Sequence, residues 1–147
     1  DTLKSRCIKF NFHISKIDKL NVINKLTKHD FYNHLSDDLK NYYSSPRDLI
    51  YLYNFLNLNS IELDISIDDL LKLIIEKKLY KKDLFVKENL PYFIELYFNK
   101  KITQYKSKNN IYNLYKYFLS KIHDCDTYNL DHESILLEFN GKFLNEQ

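Results

Sequence analysis

Ser66-Ile67-Asp68-Asp69-Leu70-Leu71-Lys72-Leu73-Ile74-Ile75 is the stretch that decides the fold. Ser66 suits a helix N-cap, where a hydroxyl accepts from an unpaired N–H of the first turn, and Asp69 stands three residues on, where a carboxylate complements the positive end of the helix dipole. Ile67, Leu70, Leu71, Ile74 and Ile75 then recur at helical spacing and trace a single apolar stripe.

The same grammar repeats on both sides. Upstream, Ser45-Pro46-Arg47-Asp48 opens a helix that the pattern carries to about Leu58. Ser45 caps it, Pro46 sits in the first turn where its missing N–H costs nothing, and Asp48 completes a Ser-x-x-Asp pattern. Leu49, Ile50, Leu52, Tyr53, Phe55 and Leu56 cover much of this helix, which implies burial on more than one side. The spacing predicts two earlier helices, about Lys16 to Lys28 with Ile17, Leu20, Ile23 and Leu26 inward, and about Asp30 to Tyr43. Downstream, a helical region from about Lys81 to Lys101 contains Pro91, which is expected to kink it or divide it near Asn89. After the polar Thr103 to Asn109 turn, Ile111, Leu114, Tyr115, Phe118, Leu119 and Ile122 form a stripe that ends near Asp124. A final helix, capped by Asp131, carries Ile135, Leu136, Phe139 and Phe143, and Gly141 inside it marks either close packing or a fraying end.

One segment reads otherwise. Ile8, Phe10, Phe12 and Ile14 alternate with Lys9, Asn11 and His13, the period-two pattern of a half-buried strand. A lone strand cannot satisfy its own ladder, so the chain reads as starting inside a larger protein. The expected fold class is all-α with one short N-terminal strand, and the polar Asn57 to Ser66 segment places a boundary near Ser60.

The chain has 147 residues and 44% hydrophobic content, enough to bury a core. Its net charge of +2 is well short of a dedicated nucleic-acid binder. Lys, Asn, Ile, Tyr and Phe are abundant while Gly occurs once, Pro twice and Trp never, the bias of A/T-rich codons, so the 23 tyrosines and phenylalanines (13 and 10) point to core packing rather than to stacking platforms. Cys7 and Cys125 are far apart, without CxxC spacing, and the five histidines (His13, His29, His34, His123, His132) are scattered, which argues against a disulfide or a zinc site. With no signal peptide and no apolar run of about 18 residues, the expected setting is cytoplasmic, with no membrane partner.

A chain with one glycine holds no phosphate-cradling glycine loop, and HExxH, GxSxG and DxDxDG patterns are absent. Asp37-Asp38 and Asp68-Asp69 fall at helix starts, where they complement the dipole. No complete active site is legible, and no metal or cofactor is expected in this chain.

Two segments resemble a known family. Thr2-Leu3-Lys4-Ser5-Arg6-Cys7 leads directly into the strand, and Ser44-Ser45-Pro46-Arg47-Asp48 opens a helix after roughly two short helices. Together they resemble the AAA+ clamp-loader subunits of bacterial DNA polymerase III, in which a Thr-x-x-Ser-Arg-Cys element closes the nucleotide-binding core and a Gly-Ser-Pro-Arg-like element opens the last lid helix. Ser44 stands here at the glycine position. Tyr128-Asn129-Leu130-Asp131 followed by Ile135-Leu136-Leu137-Glu138 looks like the closing collar helix of a delta-prime subunit.

The resemblance implies three parts: residues 1–14 as the end of an AAA+ core, 15–59 as a three-helix lid, and 60–147 as a helical collar that assembles with the motor and delta subunits. The phosphate loop, and in many delta-prime subunits a zinc module, would precede Asp1. Arg6, flanked by Ser5 and Cys7, would act in trans on ATP and Mg²⁺ held by the neighbouring motor subunit, stabilising charge on the transferring phosphoryl group. Arg47, beside Pro46, would occupy a nucleotide-sensing position, with packing, or pairing to Asp48 or another carboxylate, as its plainer role. Cys7 reads as a small buried filler. The sliding clamp and primed DNA would be met indirectly, during DNA replication. Two alternatives stand beside this reading: the ATP-hydrolysing motor subunit of the same complex, and an unrelated all-helical DNA- or protein-interaction module. In the latter Lys77, Lys78, Lys81 and Lys82, or Lys100, Lys101, Lys106 and Lys108, would face phosphates.

Overall fold

The structure, a computed structural model, describes residues 15–28, 30–40, 45–104 and 108–144, the side chains of residues 16, 108 and 109 excepted. The expected strand and the Ser5-Arg6-Cys7 element lie outside the described residues. Among those that are described the fold is all-α, with α1 Lys16–Thr27, α2 Asp37–Lys40, α3 Pro46–Leu58, α4 Ile67–Glu76, α5 Leu79–Lys82, α6 Leu84–Gln104, α7 Lys108–Tyr128 and α8 Glu133–Phe139. None of these helices is long and apolar enough to cross a membrane.

The caps predicted at Ser66 and Ser45 form. The Ser66 hydroxyl oxygen accepts from the Asp69 N–H at 3.1 Å, and the Ser45 oxygen accepts from the Asp48 N–H at 3.3 Å. At α3 the box closes reciprocally, the Ser45 N–H donating to Asp48 Oδ2 at 3.0 Å, which satisfies two backbone donors that the helix itself leaves open.

Several elements differ from the sequence reading, each for a local reason. Over its described part, residues 30–40, the helix expected from Asp30 to Tyr43 is instead a 3₁₀ turn, Tyr32–His34, followed by α2; the rest of that span lies outside the described residues. Leu35 between them is extended, and Ser36 restarts the helix: its hydroxyl oxygen accepts from the Leu39 N–H while its own N–H donates to the Leu63 carbonyl. In α1, Ile23 is buried but Ile17 and Leu26 are 71% and 65% exposed, because α1 lies against α3 and buries a narrower face than its stripe suggests. Pro91 does not divide α6, which runs unbroken from Leu84 to Gln104. The break falls earlier, at Asp83, whose Oδ1 accepts from the Val86 N–H and so starts α6 anew after α5. α7 continues past Asp124 to Tyr128. The cap expected at Asp131 falls one residue later, at His132, whose side chain makes no capping bond. Asp131 instead accepts from the Glu133 N–H at 3.0 Å from the turn before the helix, and α8 ends in a π turn, Asn140–Leu144. A Cβ placed on Gly141 in that turn would meet nothing within 4 Å, so close packing is not its role.

The centre of the molecule is α6. It packs on α2, α3, α4, α5 and α7 and buries Val86, Leu90, Phe93, Ile94, Leu96, Tyr97 and Phe98, a set that spans several of its faces. Buried side chains from α1 to the π turn form one cluster that runs across the Asn57 to Ser66 segment, where Ile61 is itself buried.

Candidate functional site

Of the residues singled out in the sequence, Ser5, Arg6 and Cys7 lie outside the described residues, whereas Pro46 and Arg47 form the first turn of α3. Asp48 is committed to the capping box, so it is not what holds Arg47. The Arg47 guanidinium lies instead over Tyr51, one turn on, 5.2 Å from the ring centroid, with Nη2 3.5 Å from the tyrosine hydroxyl. Both side chains are open to solvent, leaving the guanidinium within reach of an approaching anion.

Two lysines of each cluster turn to acids. Lys78 and Lys81 both reach Glu133 at 2.7 Å, and Lys81 also reaches Asp131 at 2.8 Å, tying α5 to the start of α8. Hydrogen bonds to Asp131 and then Glu133 push the Lys81 pKa well above the ordinary lysine value, while the same contacts hold both carboxyls below theirs. Lys100 bridges Asp38 at 2.9 Å and Asp68 at 2.5 Å, and Lys101 meets Asp68 at 3.0 Å while lying 5.0 Å from the Tyr97 ring centroid. Burial alone would lift the Asp68 carboxyl, yet hydrogen bonds from Lys100 and Lys101 carry it below the usual range. These pairings leave Lys78, Lys81, Lys100 and Lys101 with carboxylates at hand. Lys106 and the side chain of Lys108 lie outside the described residues.

No family model, curated protein or solved structure matches this chain. What the site can do therefore rests on its own chemistry. Among the described residues no group of three or more His, Cys, Asp or Glu side chains is placed to hold a metal ion. A shallow groove of about 320 Å³ runs between α5, α6 and the α7–α8 turn, lined by Tyr80, Lys81, Lys87, Asn129, Leu130, Asp131 and His132. His132 is buried there with Nε2 3.0 Å from Asp126 Oδ1, an ion pair once the ring is protonated, but Nε2 makes no aligned hydrogen bond. Cys125 donates weakly to the Asp131 carbonyl at 3.7 Å, and burial pushes its thiol up, which makes it a packing residue rather than a nucleophile. The described part of the chain offers surfaces and one exposed arginine at a capped helix start.

The long-range pairing of Asp38 and Asp68 with Lys100 escaped the sequence reading. The acids carried a local signal, two carboxylates at two helix starts, but the partner lies 62 residues from Asp38 and 32 from Asp68.

Proposed function

We propose that this chain is part of a non-catalytic, delta-prime-like subunit of a bacterial replicative clamp loader. Its N-terminal segment closes an AAA+ core with a short strand, its first helices act as a lid, and its later helices form a collar that assembles with motor and delta subunits. Arg6 supplies a trans-acting arginine to ATP on the adjacent motor subunit, and Arg47 faces nucleotide from the lid. The work is done in the cytoplasm, during loading of the sliding clamp on primed DNA.

The observation that carries the reading is the joint occurrence of Thr2-Leu3-Lys4-Ser5-Arg6-Cys7 and a Ser45-Pro46-Arg47-Asp48 element that opens α3 as a capped first turn with Arg47 exposed. The all-α body is compatible with it, and Leu84, Tyr128, Leu130 and Leu137, each more than half exposed, leave apolar side chains available to partner subunits.

The test is co-elution on a sizing column of this chain with the ATP-hydrolysing clamp-loader subunit of the same organism, followed by the ATPase rate of the assembly with Arg6→Ala and Arg6→Lys. A stable complex whose hydrolysis falls on the order of 10³-fold or more with either variant is the expected result, since a lysine lacks the planar fork that spans two phosphoryl oxygens. Absence of a complex at micromolar concentration, or a complex whose ATPase ignores Arg6, overturns the reading.

A further inference from the structure

Four charged side chains meet between α2, α4 and α6, and the function proposed above makes no use of them. Asp38, Asp68, Lys100 and Lys101 are only 17% to 23% exposed in their side chains. Charges are seldom withdrawn from water to this extent unless paired, and the desolvation they pay offsets much of what pairing returns, so an apolar quartet would hold these helices together at least as well. A paired network contributes register instead, because its hydrogen bonds are satisfied in one arrangement of the helices. Asp38 sharpens that arrangement: the Oδ2 that receives Lys100 also accepts from the Ile67 N–H, at 3.1 Å, at the first residue of α4.

What this register controls follows from where α6 is gripped. Phe55 of α3 packs on Phe85, in the first turn of α6, with ring centroids 5.6 Å apart. Asp38 of α2 reaches Lys100 near the other end, about 22 Å further along the axis at 1.5 Å of rise per residue. The segment from α1 to α3 therefore holds the central helix at two well-separated points. The Ser36 N–H bond to the Leu63 carbonyl lies in the connecting loop itself, where Ser60 takes a left-handed backbone at φ 53°. Non-directional core packing, to which Leu39, Leu52 and Leu56 contribute, fixes orientation less sharply than a directional grip at each end of the helix.

We propose that the Asp38, Asp68, Lys100 and Lys101 network is a clasp that sets the orientation of the α1–α3 segment on α6. Opening it loosens the orientation of that segment on α6, to the extent that the shared core of Leu39, Leu52, Phe55 and Leu56 permits, while both sides stay folded. The clasp is independent of the clamp-loader reading and belongs to the chain whatever its partners are.

The experiment places spin labels on the full chain at Asn54→Cys and Asn113→Cys, exposed positions on α3 and α7, with Cys7→Ser and Cys125→Ala removing the native thiols, and measures the interspin distance distribution by pulsed electron resonance. With the clasp intact a single narrow distribution is expected; with Lys100→Met it at least doubles in width or gains a second maximum while helicity is retained. A distribution that stays narrow in folded Lys100→Met overturns the proposal. Should that variant unfold because Asp38 is left without its cation, Asp38→Asn with Lys100→Met removes both charges and keeps Asp68 paired with Lys101. A folded double variant with a broad distribution supports the clasp. A narrow distribution, or loss of the fold in the double variant as well, refutes it, since the charges would then be setting stability or nothing at all.

Discussion

Phe98 collects five rings, those of Tyr97, Tyr115, Phe118, Phe139 and Phe143, at centroid distances from 5.5 to 6.2 Å, and it is 1% exposed. Removing it empties the junction of α6, α7, α8 and the π turn, where few neighbours can relax into the space, so Phe98→Ala is expected to cost about 3–5 kcal/mol in urea unfolding, and Phe98→Leu distinctly less. Arg47→Ala should leave the unfolding midpoint unmoved, since among the described residues its guanidinium rests on the exposed Tyr51. The inward positions of Phe118, Phe139 and Phe143 were legible because each sits on a striped helix. Phe98 was not, because α6 is apolar on several faces and its pattern has no phase to read. Arg47 was legible as a feature but not in its contact, since the capping box had already taken Asp48.

Helix starts are the most readable elements of this chain because a cap is a three-residue rule. Ser45→Ala and Ser66→Ala should each destabilise the fold by about 1 kcal/mol, the cost of leaving a first-turn N–H without its acceptor, measurable as a lowered urea midpoint. Gly141 predicts the opposite sign. With no positive φ and open space where a Cβ would go, Gly141→Ala should stabilise by about 0.5–1 kcal/mol by restricting the unfolded chain. Periodicity was a weaker guide to packing. The stripe on α1 shows which residues can share a face, not whether another element covers it, and Ile17 and Leu26 remain in solvent. The second predicted helix failed for a related reason: Ser36 competes with helix continuation by capping the turn that follows it, and its backbone is drawn to Leu63, 27 residues away, a contact that no local pattern contains.

Across the described residues the ion pairs of Lys78, Lys81, Lys100 and Lys101 join elements distant in sequence while Glu138–Lys142 is a local pair, and their pKa shifts dictate how stability follows pH. Hydrogen bonds from lysines hold four carboxyls below their ordinary values: Asp68 against the opposing effect of burial, Asp131 and Glu133 beside Lys81 and Lys78, and Glu138 beside Lys142. A carboxyl whose folded pKa is depressed takes up its proton first in the unfolded chain, at about 3.9 for Asp and 4.3 for Glu, so its contribution is complete above those values and is lost as pH falls through the folded ones. The partners shift the other way: Glu133 raises Lys78, Glu138 raises Lys142, and Asp38 and Asp68 raise Lys100 against the effect of burial. Their contribution is complete below about 10.4 and is lost only as pH climbs through the folded values. Both signs agree on a plateau through neutral pH. The urea midpoint should hold level between about pH 6 and 9 and then fall steadily below about pH 4.5. Asp68→Asn, which removes the half-buried member of this set, should lower the plateau and flatten the acid limb, whereas Glu138→Gln, at an exposed pair, should change both far less. A midpoint that does not move between pH 6 and pH 3 would mean that these pairs contribute nothing to holding the helices together.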